Sequence, residues 1–307
     1  MTSWSMEDPF PPGLRHPPQN VGTFEVQSDE WLDARRKAIG ASDSPSILAA
    51  PGAFSTCLKV WAQKIGNDSP EIISDRQAEM FHFGQRMESL IADELRERTG
   101  YEVRPEPRTL AHPATPFVQA NLDGWVCVDG VWGPAEFKNV GTWAADQWLN
   151  DVPLKYQVQI QHQMYVVGAE IACAAALVGG NQFLWLTMER NDEFIDAMVK
   201  KLTEFWTMVE ENIQPEASGS DLGLLKDLVE TDDELTTVLP FEAIHWAAQI
   251  SGAKKKVKEW KEIREEAEAM VLQAMGEAHA AELPDNSGQF RITVNSKGTK
   301  TLRFKGE

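Results

Sequence analysis

The 307-residue chain lacks any apolar run approaching the roughly 18 to 20 residues that cross a bilayer. A helical membrane span is therefore not expected. Its opening, MTSWSMEDPFPPGLRHPPQN, holds five prolines but no basic-then-apolar signal pattern. This reads as a flexible, Pro-rich arm over residues 1–22 of a cytoplasmic protein. Cysteine is scarce: Cys57, Cys127 and Cys173 stand far apart, and no CxxC pair exists. That excludes a zinc ribbon and a four-cysteine cluster, and leaves buried thiols. Basic residues are short too, 29 against 47 acidic, for a net charge of −18. The deficit is uneven, with 18 basic and 37 acidic residues before Pro240 and near balance after it. An acidic body argues against tight nonspecific DNA binding, which depends on neutralising phosphates. It is compatible with a site where bound metal ions supply the positive charge.

Apolar residues make up 42% of the chain, with 11 Trp and 13 Phe, enough for a substantial core. Helical stretches beginning on Ser or Asp and closing on Gly are expected at SDEWLDARRKAIG, SDSPSILAAPG and STCLKVWAQKIG, then from Ser74 to Thr99 ahead of Gly100. The period changes in YEVRPE, FVQANLDGWVCVDG and VWGPAEFKN, which are rich in β-branched and aromatic residues and read as strands. Helices follow at TWAADQWLNDV and PLKYQVQIQHQMYVVG. A hairpin is expected around Gly179, Gly180 and Asn181, and then a long helix from Asn191. Residues 215–240 look like an acidic linker. Residues 241–307 look like a helical extension broken near Gly252, ending in a basic hairpin. The expected class is α+β, a mixed central sheet flanked by helices, with the core in residues 23–214 and a helical C-terminal extension.

Acidic residues interrupt this pattern at three places. Ile91, Ala92 and Leu95 lie three, four and seven residues after Glu88, so Glu88 sits on the apolar face of its helix. A Glu at the edge of the stripe reaching solvent would explain it equally well. Asp123 follows a strand and precedes Gly124, which alone would signal a turn. Glu136 and Lys138 are two apart in a strand, so they share a face while Phe137 takes the other. Taken singly, that pair is a partly exposed salt bridge. Taken together, the set has a chemical use. Converging carboxylates hold Mg²⁺ or Mn²⁺, and a lysine beside them serves the water that hydrolyses a phosphodiester.

The pattern LDGW…AEFK resembles the PD-(D/E)xK nuclease signature. With EWLDARRKAIGASDSPSILAAP, FHFGQRMESLIADEL and VPLKYQVQIQHQMYVVG in order across about residues 29–210, the chain resembles the YqaJ-type viral recombinase family, to which the phage lambda exonuclease belongs. The resemblance implies a PD-(D/E)xK restriction-endonuclease-like core and a metal-dependent 5′-to-3′ exonuclease on double-stranded DNA ends. Asp123 and Glu136 would bind metal with the Phe137 carbonyl, Lys138 would be the catalytic lysine, and Glu88 would help a second ion bind. Gln159 matches the family's helical glutamine. Arg35 and Ser42 match the grip on a 5′-phosphate, a group that suits the planar fork of arginine. Trp31 would abut a terminal base. The family's Ser or Thr before the first acid is replaced here by Asn121, a weaker phosphate contact. The implied partners are DNA ends, a single-strand annealing protein and further copies of the chain in a ring-shaped trimer. A related endonuclease or structure-selective nuclease, or an inactive end-binding protein, would keep the same fold. His162 has no evident partner and reads as structural.

Overall fold

A computed structural model of the protein describes residue 4 and residues 8–25, 28–67, 74–149, 151–228 and 236–306. Part of the expected arm and part of the expected linker (229–235) lie outside the described residues. The chain divides into two compact units, Met1–Glu230 and Thr231–Glu307.

The strands of the first unit are β1 (Gln19–Gly22), β2 (Ile39–Gly40), β3 (Glu102–Arg104), β4 (Thr109–Ala111), β5 (Val118–Asn121), β6 (Gly124–Val128), β7 (Val131–Val140), β8 (Ile171–Val178) and β9 (Gln182–Glu189). Its helices are α1 (Asp29–Arg36), α2 (Ser44–Ile47), α3 (Cys57–Ile65), α4 (Asp75–Thr99), α5 (Ala145–Trp148), α6 (Leu154–Val167), α7 (Asp192–Glu210) and α8 (Leu222–Leu228). Two mixed sheets result, in the orders β1-β4-β5-β2 and β3-β6-β7-β8-β9. The architecture is α+β, as expected.

Local chemistry sets the helix limits. The Ser74 side chain accepts from the Gln77 amide while Gln77 reaches back, a capping box that starts α4, and left-handed Gly100 ends it. Thr56 caps α3 and left-handed Gly66 closes it. Three expected helices are shorter than the sequence suggests, among them TWAADQWLNDV, of which only Ala145–Trp148 is α-helical after a 3-10 turn. Of the other two, α1 stops at Arg36 and Ile39–Gly40 becomes a strand beside β5. Helix α2 has only four residues, because Ala49 turns left-handed and Pro51 keeps the preceding residue out of helical space.

Strand β7 is central, antiparallel to β6 and parallel to β8. Phe137 packs into a cluster with Ile91 and Leu95 of α4 and with Val126 and Phe183. A larger cluster, including Trp125, Trp148, Ile160, Met164 and Leu202, joins α6 and α7 to both sheets. Helix α6 is buried nearly all round, which explains why it carries several buried glutamines that must find partners. Glycine is required at Gly133, where a Cβ would stand 1.7 Å from the Ile171 carbonyl oxygen.

The proline-rich opening differs from the expected flexible arm. Strand β1 pairs with β4, the Arg15 amide donates to the Gly168 carbonyl at 2.7 Å, and the Arg15 guanidinium pairs with Glu170 and Asp192. Trp4 packs edge-on to Trp132 with ring centroids 5.0 Å apart. Proline fixes φ and lowers the entropy lost when such a segment lies along a core.

The second unit comprises α9 (Ala243–Met275) and an antiparallel sheet of β10 (Ala280–Glu282), β11 (Gly288–Val294) and β12 (Lys300–Gly306). The expected terminal hairpin is β11–β12. The expected break near Gly252 is absent, since α9 runs straight through it. One glycine in an exposed helix costs about 1 kcal/mol, too little to end 33 residues of good helix formers. Among the described residues, no helix is long and apolar enough to cross a membrane.

Candidate active site

Two sheets meet at Asp123. Strand β5 of the first sheet ends at Asn121, and β6 of the second begins at Gly124. The turn between β6 and β7 is Asp129-Gly130, not Asp123-Gly124. Both of its residues have positive φ, as a tight two-residue hairpin demands. The register runs from Val128 opposite Val131 to Gly124 opposite Ala135. One further step sets Asp123 opposite Glu136. The contact is realised: the Phe137 amide donates to Asp123 Oδ2 at 2.7 Å. Gly124 permits this approach, because a Cβ there would come within 2.8 Å of the Arg104 carbonyl oxygen.

Glu136 is 1% exposed. Its Oε1 accepts from Gln159 Nε2 at 2.7 Å and its Oε2 from Gln163 Nε2 at 2.6 Å. Lys138 forms an ion pair with the same carboxylate, and the two share a strand face as the sequence requires. Burial alone would lower the pKa of the Lys138 ammonium. The Glu136 and Asp123 carboxylates more than reverse this and raise it. Asp123 is pushed the other way from an ordinary acid, up to about 8, by burial and by the charges of Glu136 and Glu88. Glu88 on α4 is also raised, by burial foremost and by Glu136, with Lys138 opposing. The structure thus groups Asp123, Glu136, Lys138, Gln159 and Glu88.

Gln163 was not singled out in the sequence. The available signal was its spacing, four residues after Gln159 and hence on the same helical face. Tyr156 on α6 completes the setting, with Lys138 Nζ 5.5 Å from its ring centroid.

The phosphate-grip candidates form a second cluster around α1, α2 and α3. Arg35 lies over the Trp31 ring at 4.8 Å and donates from Nη2 to Asp43 Oδ1 at 2.9 Å. Buried Lys64 donates to Asp43 Oδ2 at 2.6 Å and to the Arg35 carbonyl at 2.8 Å. Burial would raise the pKa of the Asp43 carboxyl, but Lys64 and Arg35 outweigh it and hold it at about 2. Two cations thus share one carboxylate. Ser42 adjoins this pair, partly buried. Asn121 ends β5, exposed, and makes no side-chain hydrogen bond among the described residues. Asp43 and Lys64 were not identified in the sequence, which carries no local sign that positions 43 and 64 would meet.

Helix α6 connects the two clusters. His162 is fully buried and bonded at both nitrogens, to Ser44 Oγ at 2.6 Å and to the Gln119 carbonyl at 2.9 Å. The carbonyl can only accept, so Nε2 carries the proton and Nδ1 accepts from the Ser44 hydroxyl. His162 is structural, and burial lowers its pKa to about 4.

Among the described residues, no three His, Cys, Asp or Glu side chains converge as a ready-made metal cage. The donor set is instead two opposed carboxylates with an ion-paired lysine. Burial foremost, and then the facing charges of Glu136 and Glu88, disfavour a second free carboxylate at Asp123; a divalent cation between the opposed oxygens would relieve this, and oxygen donors suit Mg²⁺. In this sense the residues fit a metal.

Among solved structures, the chain matches an alkaline exonuclease, LHK-Exo, from Laribacter hongkongensis. The complex of LHK-Exo with dAMP aligns at 21% identity and a TM-score of 0.50, over 61% of this chain and 94% of that one. A second structure of the enzyme aligns at 20% identity with the same TM-score and coverage. At these identities the likeness establishes the fold. The family model for the YqaJ-like viral recombinase domain matches residues 30–170. The uncharacterized protein YqaJ of Bacillus subtilis (strain 168) is 31% identical over 287 residues, 91% of this chain and 88% of its own. The chain belongs to the YqaJ-like viral recombinase family.

Proposed function

We propose that the protein is a cytoplasmic, metal-dependent exonuclease that degrades double-stranded DNA from its ends in the 5′-to-3′ direction. It would leave 3′ single-stranded overhangs for a strand-annealing partner in phage-type recombination. The carrying observation is the register that sets Asp123 opposite Glu136, with Lys138 paired beside them. Family membership and the exonuclease fold support the reading.

Asp123 and Glu136, with the Phe137 carbonyl, would hold Mg²⁺ or Mn²⁺, and Glu88 would help hold a second ion. Bound metal would supply Lewis-acid polarisation of the phosphate and a more acidic water. The protein's own part is positioning. Gln159 and Gln163 fix both oxygens of Glu136. Lys138, held charged by its acidic neighbours, orients the attacking water and balances charge growing on the phosphate. Water adds to phosphorus, the P–O3′ bond breaks, and the shortened strand keeps a 5′-phosphate. Arg35 would grip that phosphate with the N–H groups not committed to Asp43, aided by Ser42, with Trp31 and Asn121 at the strand end. The family resemblance implies a ring of three copies around the duplex.

The test compares linear and closed-circular duplex with Mg²⁺ or EDTA, using separate 5′ and 3′ labels. The expected result is Mg²⁺-dependent loss of linear DNA only, with the 5′ label released first. Cutting of the circle would show an endonuclease. Binding of ends without digestion would show an inactive end-binding protein.

A further inference from the structure

Lys155 belongs to the block VPLKYQVQIQHQMYVVG but matches no site residue of the family, and it lies beside the acidic centre. Its Nζ stands 4.6 Å from the ring centroid of Phe54 and 4.9 Å from that of Tyr156. Tyr156 is the ring that Lys138 approaches from 5.5 Å, so both ammonium groups border one aromatic side chain. The two lysines differ in their partners. Lys138 is paired with Glu136, whereas Lys155 has no carboxylate within ion-pair reach and no hydrogen-bond acceptor among the described residues. It is partly buried all the same. Burial and the repulsion of Lys138 both lower its pKa, and no acid opposes them.

Aromatic faces stabilise a cation modestly, but they supply no acceptor for its three N–H donors. A partly buried ammonium with no protein acceptor, at the rim of a phosphodiester-cleaving site, is placed to pair with an arriving anion. Phe54 is 51% exposed and sits between α2 and α3, so the approach from that side is open.

We propose that Lys155, held by Phe54 and Tyr156, binds a backbone phosphate of the DNA strand entering the site. The inference rests on the nuclease reading. It divides the two lysines by task, Lys138 serving the reacting water and Lys155 the incoming strand. Phe54 offers its open face to the neighbouring base, as aromatic residues do in single-strand grooves.

The experiment uses the full chain, with Lys155→Met, Lys155→Arg and Phe54→Leu variants whose thermal midpoints match the wild type. Binding of a fluorescent duplex with a 5′-phosphate is measured in EDTA across a salt series, and digestion is measured with Mg²⁺. Lys155→Met should weaken binding about tenfold and reduce the slope of log affinity against log salt by roughly 0.9, the signature of one lost phosphate contact. KM should rise while kcat at saturating DNA stays near wild type. Lys155→Arg should keep the slope, and Phe54→Leu should fall between. A Lys155→Met protein with wild-type affinity and slope would overturn the inference while digestion by the wild type upheld the nuclease reading. A wild type that neither binds nor digests DNA would overturn the nuclease reading, and this inference with it.

Discussion

Glu136 receives bonds from three side chains on two elements, so its carboxylate is tightly fixed. Replacing it with Gln keeps its shape but removes the charge on which any cation and Lys138 depend. Digestion should fall to background with the thermal midpoint unchanged or raised, checked by nuclease assay and calorimetry. Active Glu136→Gln protein would remove this residue from the site. Replacing Gln163 with Leu leaves Glu136 in place but unfixes one oxygen. Activity or apparent Mg²⁺ affinity should drop about 10- to 100-fold, read from a metal titration. His162 gives a prediction in pH. Its folded pKa of about 4 lies below the unfolded value near 6.5, so the unfolded state binds its proton first as pH falls. Stability is therefore intact above the unfolded value and is lost through the window from 6.5 to 4, by about 3 kcal/mol in all. His162→Gln should flatten that part of the profile in denaturant melts taken at stepped pH. Asp123, Glu136 and Lys138 were legible as residues, because charges inside apolar patterns stand out, whereas Gln159 was legible only through the family resemblance. Gln163 was legible only as an i+4 neighbour. Asp43 and Lys64 were not legible, since their meeting depends on how α1, α2 and α3 pack.

At the level of elements, helices with strong caps followed the sequence closely, and those without did not. The capping box of α4 and the left-handed glycines after α3, α4 and α6 mark those ends plainly. Helix α2 reads longer than it is, because the stop comes from a non-glycine residue, Ala49, in left-handed conformation. The sequence holds two Asp-Gly pairs: Asp129-Gly130 makes the turn, while Asp123-Gly124 marks the passage between sheets. Which of two such dipeptides turns is decided by strand pairing at a distance. Gly133 tests that pairing. An alanine there would force β7 and β8 apart at the Ile171 carbonyl, and Gly133→Ala should cost at least about 3 kcal/mol or prevent folding. Urea melts would show it, and wild-type stability would contradict the close approach.

For the whole molecule, the division at Glu230 separates an acidic body from a near-neutral extension. The body contains both large apolar clusters, together with all the site residues. A chain ending at Glu230 should therefore fold alone, with a thermal midpoint within a few degrees of the body's transition in the full protein. Scanning calorimetry of both forms would check this, and an unfolded truncation would show that the extension is part of the body's stability. The opening segment shows the limit of composition as a guide. Prolines suggested a loose arm, but what holds it is a strand partner and two acids more than 150 positions away, invisible to any local reading.

The hairpin joining the two opposed acids carries one more lesson. Each residue added to β6 needs a mate on β7, so the interval between Asp123 and Glu136 can lengthen or shrink in twos without disturbing what they face. Distant kin are therefore better sought by the pairing of the acids than by any fixed gap, and a reporter peptide grafted at Asp129-Gly130 would ride on the molecule without entering its chemistry.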